Sequence, residues 1–152
     1  MQHMPQVEAA RCGERFDYRP VFAALAPRMR AADLTVVNLE TTLTRRGRYT
    51  GYPLFRSPVA LADALRDAGV DVAVLANNHC CDGGAEGIRT TVAELDRCGI
   101  LHTGVFADSA DYRKNNPLYL NRCGMRLAIV NYTYGTNGMP VPEGTIVNLI
   151  DT

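Results

Sequence analysis

Two polar clusters in the 152-residue chain carry groups suited to chemistry: Asn38 with Glu40, and Asn77-Asn78-His79 followed by Asp82. Each comes directly after a β-branched, apolar run, Leu34 to Val37 in the first case and Val70 to Ala76 in the second. Runs of that kind read as buried strands. In open α/β sheets, ligands sit beyond the C-terminal ends of the strands. Strands ending in a carboxylate, amide oxygens and an imidazole offer donors to a divalent cation, because hard ions take carboxylate and carbonyl oxygen and imidazole suits transition metals. The same Asn and Asp residues also serve to turn the chain and cap the next helix. A turn has no need of a second Asn followed directly by His, so both readings stand.

Other reactive side chains lie close by in sequence. Cys80 and Cys81 flank the second cluster, and a thiol near a helix N-terminus is acidified, but a nucleophilic thiolate also needs an oriented base. Gly83-Gly84 offers a weak phosphate-cradling signal at the start of a helix. Tyr132-Thr133-Tyr134-Gly135 closes a strand, where it either forms an edge and turn or lines the same cleft. His102 falls within a strand and reads as structural, and His3 sits near the N-terminus.

The elements that must position these groups follow from spacing. Val21, Phe22, Leu25 and Met29 recur at three and four residues, which predicts a helix over 19–31, kinked or shortened at Pro27. Residues 41–56 have no helical period and read as a long loop carrying Arg45, Arg46 and Arg48. Ser57 and Pro58 have the types expected at a cap and first turn, which predicts a helix over 57–68 ended by Gly69. Ile88, Val92 and Leu95 predict a second helix over 85–98, ended by Gly99, with a strand over 100–105 behind it. This strand–helix–strand alternation predicts right-handed crossovers and a largely parallel sheet. Leu118 to Leu120 and Leu127 to Tyr132 read as an antiparallel hairpin joined through Asn121-Arg122-Cys123-Gly124.

Composition narrows the classes further. Lys plus Arg equals Asp plus Glu at 16 each, the net charge is 0, and 47% of the residues are hydrophobic. Those values exclude disorder as the main state and give no broad attraction to nucleic acid. No apolar run approaches about 18 residues, and no basic segment followed by an apolar one opens the chain. Five cysteines without paired spacing read as free thiols of a reducing compartment. The ends read as those of a fragment. No strand pattern precedes Met1, and Ile146, Val147, Leu149 and Ile150 resemble a strand at which the chain stops.

Taken together, Asn38-Leu39-Glu40, Phe55-Arg56 before Pro58, Ala76-Asn77-Asn78-His79, Asp82 with Gly84, Gly104 and Asn131-Tyr132-Thr133 resemble the bacterial capsule-synthesis proteins of the poly-γ-glutamate type, the CapA family. The resemblance covers about residues 1–150. It implies an α/β fold of the calcineurin-like metallophosphatase kind, an α/β/β/α sandwich present here in part, about the N-terminal half, with 1–152 one partial domain. It implies that Asn38, Glu40 and Asn78 bind metal and that His79 serves the leaving group, with Asp82 orienting it. The cofactor it implies is a divalent Mn, Zn or Fe in an incomplete site, because the family's early Gly-Asp and later His-rich motifs have no counterpart here. The reaction would be metal-dependent hydrolysis of a phosphoester or a related acyl or peptide bond. The alternative is a non-catalytic accessory protein in which Arg45, Arg46, Arg48 and Arg56 bind an anionic polymer or help assemble membrane-associated capsule machinery.

Overall fold

A computed structural model describes residues 2–150. The first part of the chain holds α1 (Met4–Ala9), the hairpin of β1 (Arg11–Cys12) and β2 (Arg15–Phe16), then α2 (Arg19–Phe22) and α3 (Ala26–Ala31). The middle holds β3 (Val36–Asn38), β4 (Thr42–Thr44), β5 (Arg56–Pro58), α4 (Ala60–Ala68), β6 (Val72–Val74) and α5 (Gly84–Cys98). The remainder holds β7 (Leu101–Thr103), β8 (Val105–Phe106), α6 (Ser109–Asn115), β9 (Leu118–Arg122), β10 (Met125–Ile129) and β11 (Ile146–Val147). The architecture is mixed α/β, with parallel strands joined by helical crossovers as expected.

The central sheet is parallel, in the order β3-β6-β7, with Val37 beside Ala73 and Ala73 beside His102. Its middle strand is the most apolar, and Val72 and Ala73 are fully buried. Leu61, Ala62 and Leu65 of α4 and Ile88, Val92 and Leu95 of α5 close over the sheet in one core. Both helices end in a left-handed glycine, Gly69 at φ 99° and Gly99 at φ 66°, which satisfies the last carbonyls and aims the chain into the next strand. Gly69 is required twice over, because a Cβ there would also lie 2.9 Å from the side chain of Arg30. Among the described residues no helix is long and apolar enough to cross a membrane.

Local departures from the sequence expectations have physical causes. The 19–31 segment is two helices, because Pro27 opens a new first turn in α3 instead of continuing the old helix. The 41–56 segment is not one loop: it contains β4 and leads into β5, which pair in parallel, with Leu43 opposite Ser57. Ser57 therefore caps nothing. Its Oγ lies 2.9 Å from Thr41 Oγ1, and the helix begins three residues later at Ala60. The 100–105 strand breaks at Gly104, whose positive φ separates β7 from β8. The hairpin forms, but its second strand runs over Met125–Ile129 instead of 127–132, because Arg122 and Met125 pair directly across a two-residue loop in which Cys123 and Gly124 both have positive φ.

His102 is 1% exposed on β7, and neither ring nitrogen has a hydrogen-bond partner. Burial holds its pKa below the usual imidazole value of 6.5, with Asp111 and Asp96 opposing that shift and Lys114 adding to it. Below pH 6.5 the unfolded chain takes up the proton more readily than the folded one, so stability falls with pH in that range. Urea melts at pH 7.5 and 5.5 should show a lower midpoint at acid pH, and His102→Gln should shrink the difference.

Candidate functional site

β3 and β6 are parallel neighbours with Asn38 opposite Val74, so the segments that follow both strands leave the sheet at one edge. Asn77, 8% exposed, ties those segments together. The two hydrogens of its Nδ2 face three acceptors, one of them shared: Leu75 O at 3.0 Å, Leu39 O at 3.2 Å and Asn38 Oδ1 at 3.1 Å. Its Oδ1 accepts from the His79 backbone N–H at 3.0 Å. A carbonyl can only accept and an N–H can only donate, so the backbone fixes which end of this amide faces which way. Asn38 must then offer its oxygen to Asn77, and its own Nδ2 faces Glu40 Oε2 at 3.5 Å.

The end of β6 is held from the other side by Asn131. Its Oδ1 accepts from Ala76 N at 2.5 Å, and its Nδ2 donates to Ala76 O at 3.2 Å. Only glycine leaves room for that clamp, since a Cβ on Gly104 would lie 2.1 Å from Asn131 Oδ1.

His79 and Asp82 form a buried pair. His79 Nδ1 lies 2.8 Å from Asp82 Oδ2, which also accepts from Phe55 N at 2.6 Å. Asp82 is fully buried, and its Oδ1 has no partner. Arg56 donates through Nε at 3.1 Å and Nη2 at 3.0 Å to the Asp82 carbonyl, not to its carboxylate. The Phe55 ring meets the imidazole edge-on, with centroids 4.6 Å apart. The two neighbouring thiols differ: Cys81 is fully buried, and its contact with Cys80 and its burial push its pKa up, whereas the same contact lowers that of Cys80.

Asn38, Glu40, Asn77 and Asn78 form one wall of an open cleft of about 540 Å³, and Thr133, Tyr134, Gly135 and Asn137 form the other. Of residues 132–135, Thr133, Tyr134 and Gly135 line the cleft, and Thr133 also forms an edge bridge to Leu149, so both readings of the segment apply. Asn78 donates through Nδ2 to Asn137 Oδ1 at 3.1 Å, across the two walls. Asn137 is a site residue that sequence reasoning missed. The signal was there as the Asn137-Gly138 dipeptide, which marks a type I′ turn.

The arginines lie elsewhere. Arg45 pairs with Glu94, a buried carboxylate of α5 that Arg97 also holds. Arg46, Arg48 and Arg56 line a separate hollow of about 250 Å³ beside Gly83 and Gly87, at the start of α5. The sequence candidates thus divide into an amide-rich cleft, a His–Asp pair behind it and an arginine hollow.

The cleft is poor in metal donors. Glu40 supplies one carboxylate and Asn78 one free amide oxygen, while the Asn38 oxygen already accepts from Asn77. Among the described residues no three His, Cys, Asp or Glu side chains converge on a common point. Even a four-coordinate zinc takes at least three protein ligands, and hard ions such as magnesium take about six ligands in all, so these residues do not fit a two-metal centre by themselves.

A family profile described as bacterial capsule synthesis protein PGA_cap matches residues 1–148. The chain belongs to that family. A probable polyglutamine synthesis accessory protein of Mycobacterium tuberculosis is 37% identical over 90 residues, 56% of this chain and 23% of the relative. A capsule biosynthesis protein CapA of Bacillus anthracis is 33% identical over 70 residues, 46% of this chain and 16% of the relative. An uncharacterized protein of Sinorhizobium fredii is 35% identical over 95 residues, 58% of this chain. The matched segments span about a fifth of the length of these PGA_cap relatives, between 16% and 23%.

The geometry makes Asn77 the residue on which this part of the PGA_cap fold turns. Asn77→Ala would leave two buried carbonyls and the His79 N–H without their partner. It should destabilise the chain by about 2–3 kcal/mol, read as a lowered urea midpoint with an unchanged slope.

Proposed function

We propose that this chain supplies part of a hydrolytic site in a protein of capsule or polyglutamate biosynthesis. The carrying observation is the His79–Asp82 pair, 2.8 Å apart and buried directly behind an amide-lined cleft. Asp82 accepts the Nδ1 proton and so fixes the tautomer and plane of the ring. Nε2 is then the nitrogen left to hold a proton for an oxygen or nitrogen leaving group of a phosphoester, acyl or peptide substrate. Asn38, Asn78 and Glu40 bind and orient that substrate from the strand-end wall. Any Mn, Zn or Fe ion at this site would depend on ligands beyond the described residues. The names of the relatives, a polyglutamine synthesis accessory protein and a capsule biosynthesis protein, support the biosynthetic setting.

The test is hydrolysis of a chromogenic phosphodiester by the intact gene product that carries this chain, with circular dichroism as a check on folding. His79→Ala should lower the rate at least about 100-fold, the lower end for losing a general acid. Undiminished hydrolysis in a folded His79→Ala protein defeats the reading.

The arginine hollow favours a second reading, an accessory protein that binds an anionic polymer. Arg46 and Arg48 are exposed there and free of acidic partners among the ion pairs of the described residues. Replacing both with Ser should weaken binding to poly-γ-glutamate and flatten its dependence on salt. Equal binding by the variant and the parent rules this out.

A further inference from the structure

Residues 136–139 form a tight turn with the Met139 N–H bonded to Thr136 O at 2.9 Å. Its two central residues, Asn137 at φ 53° and Gly138 at φ 75°, both have positive φ, the type I′ geometry. Asn is among the few residues with a side chain that accept this backbone. The turn carries the Asn137 carboxamide into the cleft wall.

Both ends of that carboxamide are engaged. Oδ1 accepts from Asn78 Nδ2 at 3.1 Å. Nδ2 lies 3.4 Å from His79 Nδ1 and 3.4 Å from His79 Nε2. A point equally near both ring nitrogens, at that distance, lies over the face of the imidazole and not in its plane. His79 is 6% exposed and is not among the residues lining the cleft, whereas Asn137 is. The amide of Asn137 therefore stands between the ring and the cleft.

We infer that Asn137 is a positioning residue of this site: it turns the oxygen of Asn78 toward the cleft and covers the ring face of His79. The first effect follows from polarity. One Nδ2 hydrogen of Asn78 is held by Asn137, which turns the nitrogen toward that wall and leaves the whole acceptor end of the amide for a ligand, suited to a cation or to a donor on a substrate. The second effect follows from packing. Asp82 holds the imidazole at Nδ1, Phe55 packs against it in a T-shaped contact, and Asn137 lies over a ring face on the cleft side. Access from the cleft to His79 then requires the Asn137 side chain to move aside. The inference builds on the reading of His79 as the proton-holding group, and its test needs neither substrate nor metal.

The test compares the parent chain with Asn137→Gly and Asn137→Asp. Glycine keeps the turn, because it adopts positive φ freely. Aspartate keeps both an oxygen for Asn78 and the covering atoms. The first measurement is the rate of diethylpyrocarbonate modification at each histidine by mass spectrometry, with the buried His102 as internal reference. Asn137→Gly should speed modification of His79 several-fold over that of His102, and Asn137→Asp should stay near the parent rate. The second measurement is the side-chain amide signal of Asn78 by NMR. Its protons should exchange slowly with solvent in the parent and in Asn137→Asp, and rapidly in Asn137→Gly. An unchanged His79 rate in Asn137→Gly, a parallel rise at His102, or slow Asn78 exchange in Asn137→Gly each overturns the inference. A null result for phosphodiester hydrolysis leaves these readings untouched, so the two failures are distinguishable.

Discussion

The carboxamide of Asn77 is the contact that everything at this strand edge depends on. It lies between two parallel strand ends whose backbone polar groups would otherwise lack partners, and it satisfies two carbonyls and one N–H from a single side chain. Only an amide meets the requirement. Aspartate cannot donate to Leu39 O and Leu75 O, and an aliphatic side chain could neither donate to them nor accept from the His79 N–H. Because backbone groups fix the polarity of Asn77, they also fix that of Asn38, whose amide nitrogen is then turned toward Glu40. The direction of a donor in the cleft is thus set by hydrogen bonds that belong to the fold.

Asp82 acts in the same way on the opposite side. A fully buried carboxylate is costly unless its oxygens are satisfied, and here one oxygen carries both the Phe55 N–H and the His79 ring. The segment entering β5 is thereby bound to the turn that starts α5. The Phe55 backbone meets the carboxylate while its ring packs against the imidazole. A shift of this segment would move the ring and the hydrogen bond together, so the orientation of His79 reports the packing of β4 and β5.

The parts of this arrangement that were legible in the sequence are those governed by local periodicity. The α5 helix follows from Ile88, Val92 and Leu95 at helical spacing, and its end follows from Gly99. The strand ends bearing Asn38 and Asn77 follow from β-branched runs that stop abruptly. Where the sequence misled, a local signal met a distant competitor. Ser57-Pro58 has the composition of a helix start, but pairing with β4 gave those backbone groups a better use. The role of Asn77 could not be read locally, because its decisive acceptor is the Leu39 carbonyl, 38 positions earlier. The Asn137-Gly138 turn signal went unread, and nothing in such a signature says that its amide reaches a histidine 58 positions away. Glu40, Asn78 and His79 were marked out by their place after the apolar runs, with roles given by family resemblance, and the structure brings Glu40 and Asn78 to one cleft with His79 behind it.

Arg56 complicates any clean division between a catalytic cleft and a polymer-binding face. Its guanidinium lines the arginine hollow and also donates two hydrogen bonds to the Asp82 carbonyl. The His79–Asp82 pair therefore lies between the amide cleft and the hollow, with Arg56 as the shared element. The chain has a net charge of 0, so an anion gains nothing from the protein as a whole and must be drawn by local groups. An anion seated against Arg46 and Arg48 would compete with the Asp82 carbonyl for Arg56. Arg56 therefore ties the hollow to the backbone of the residue that holds the His79 ring.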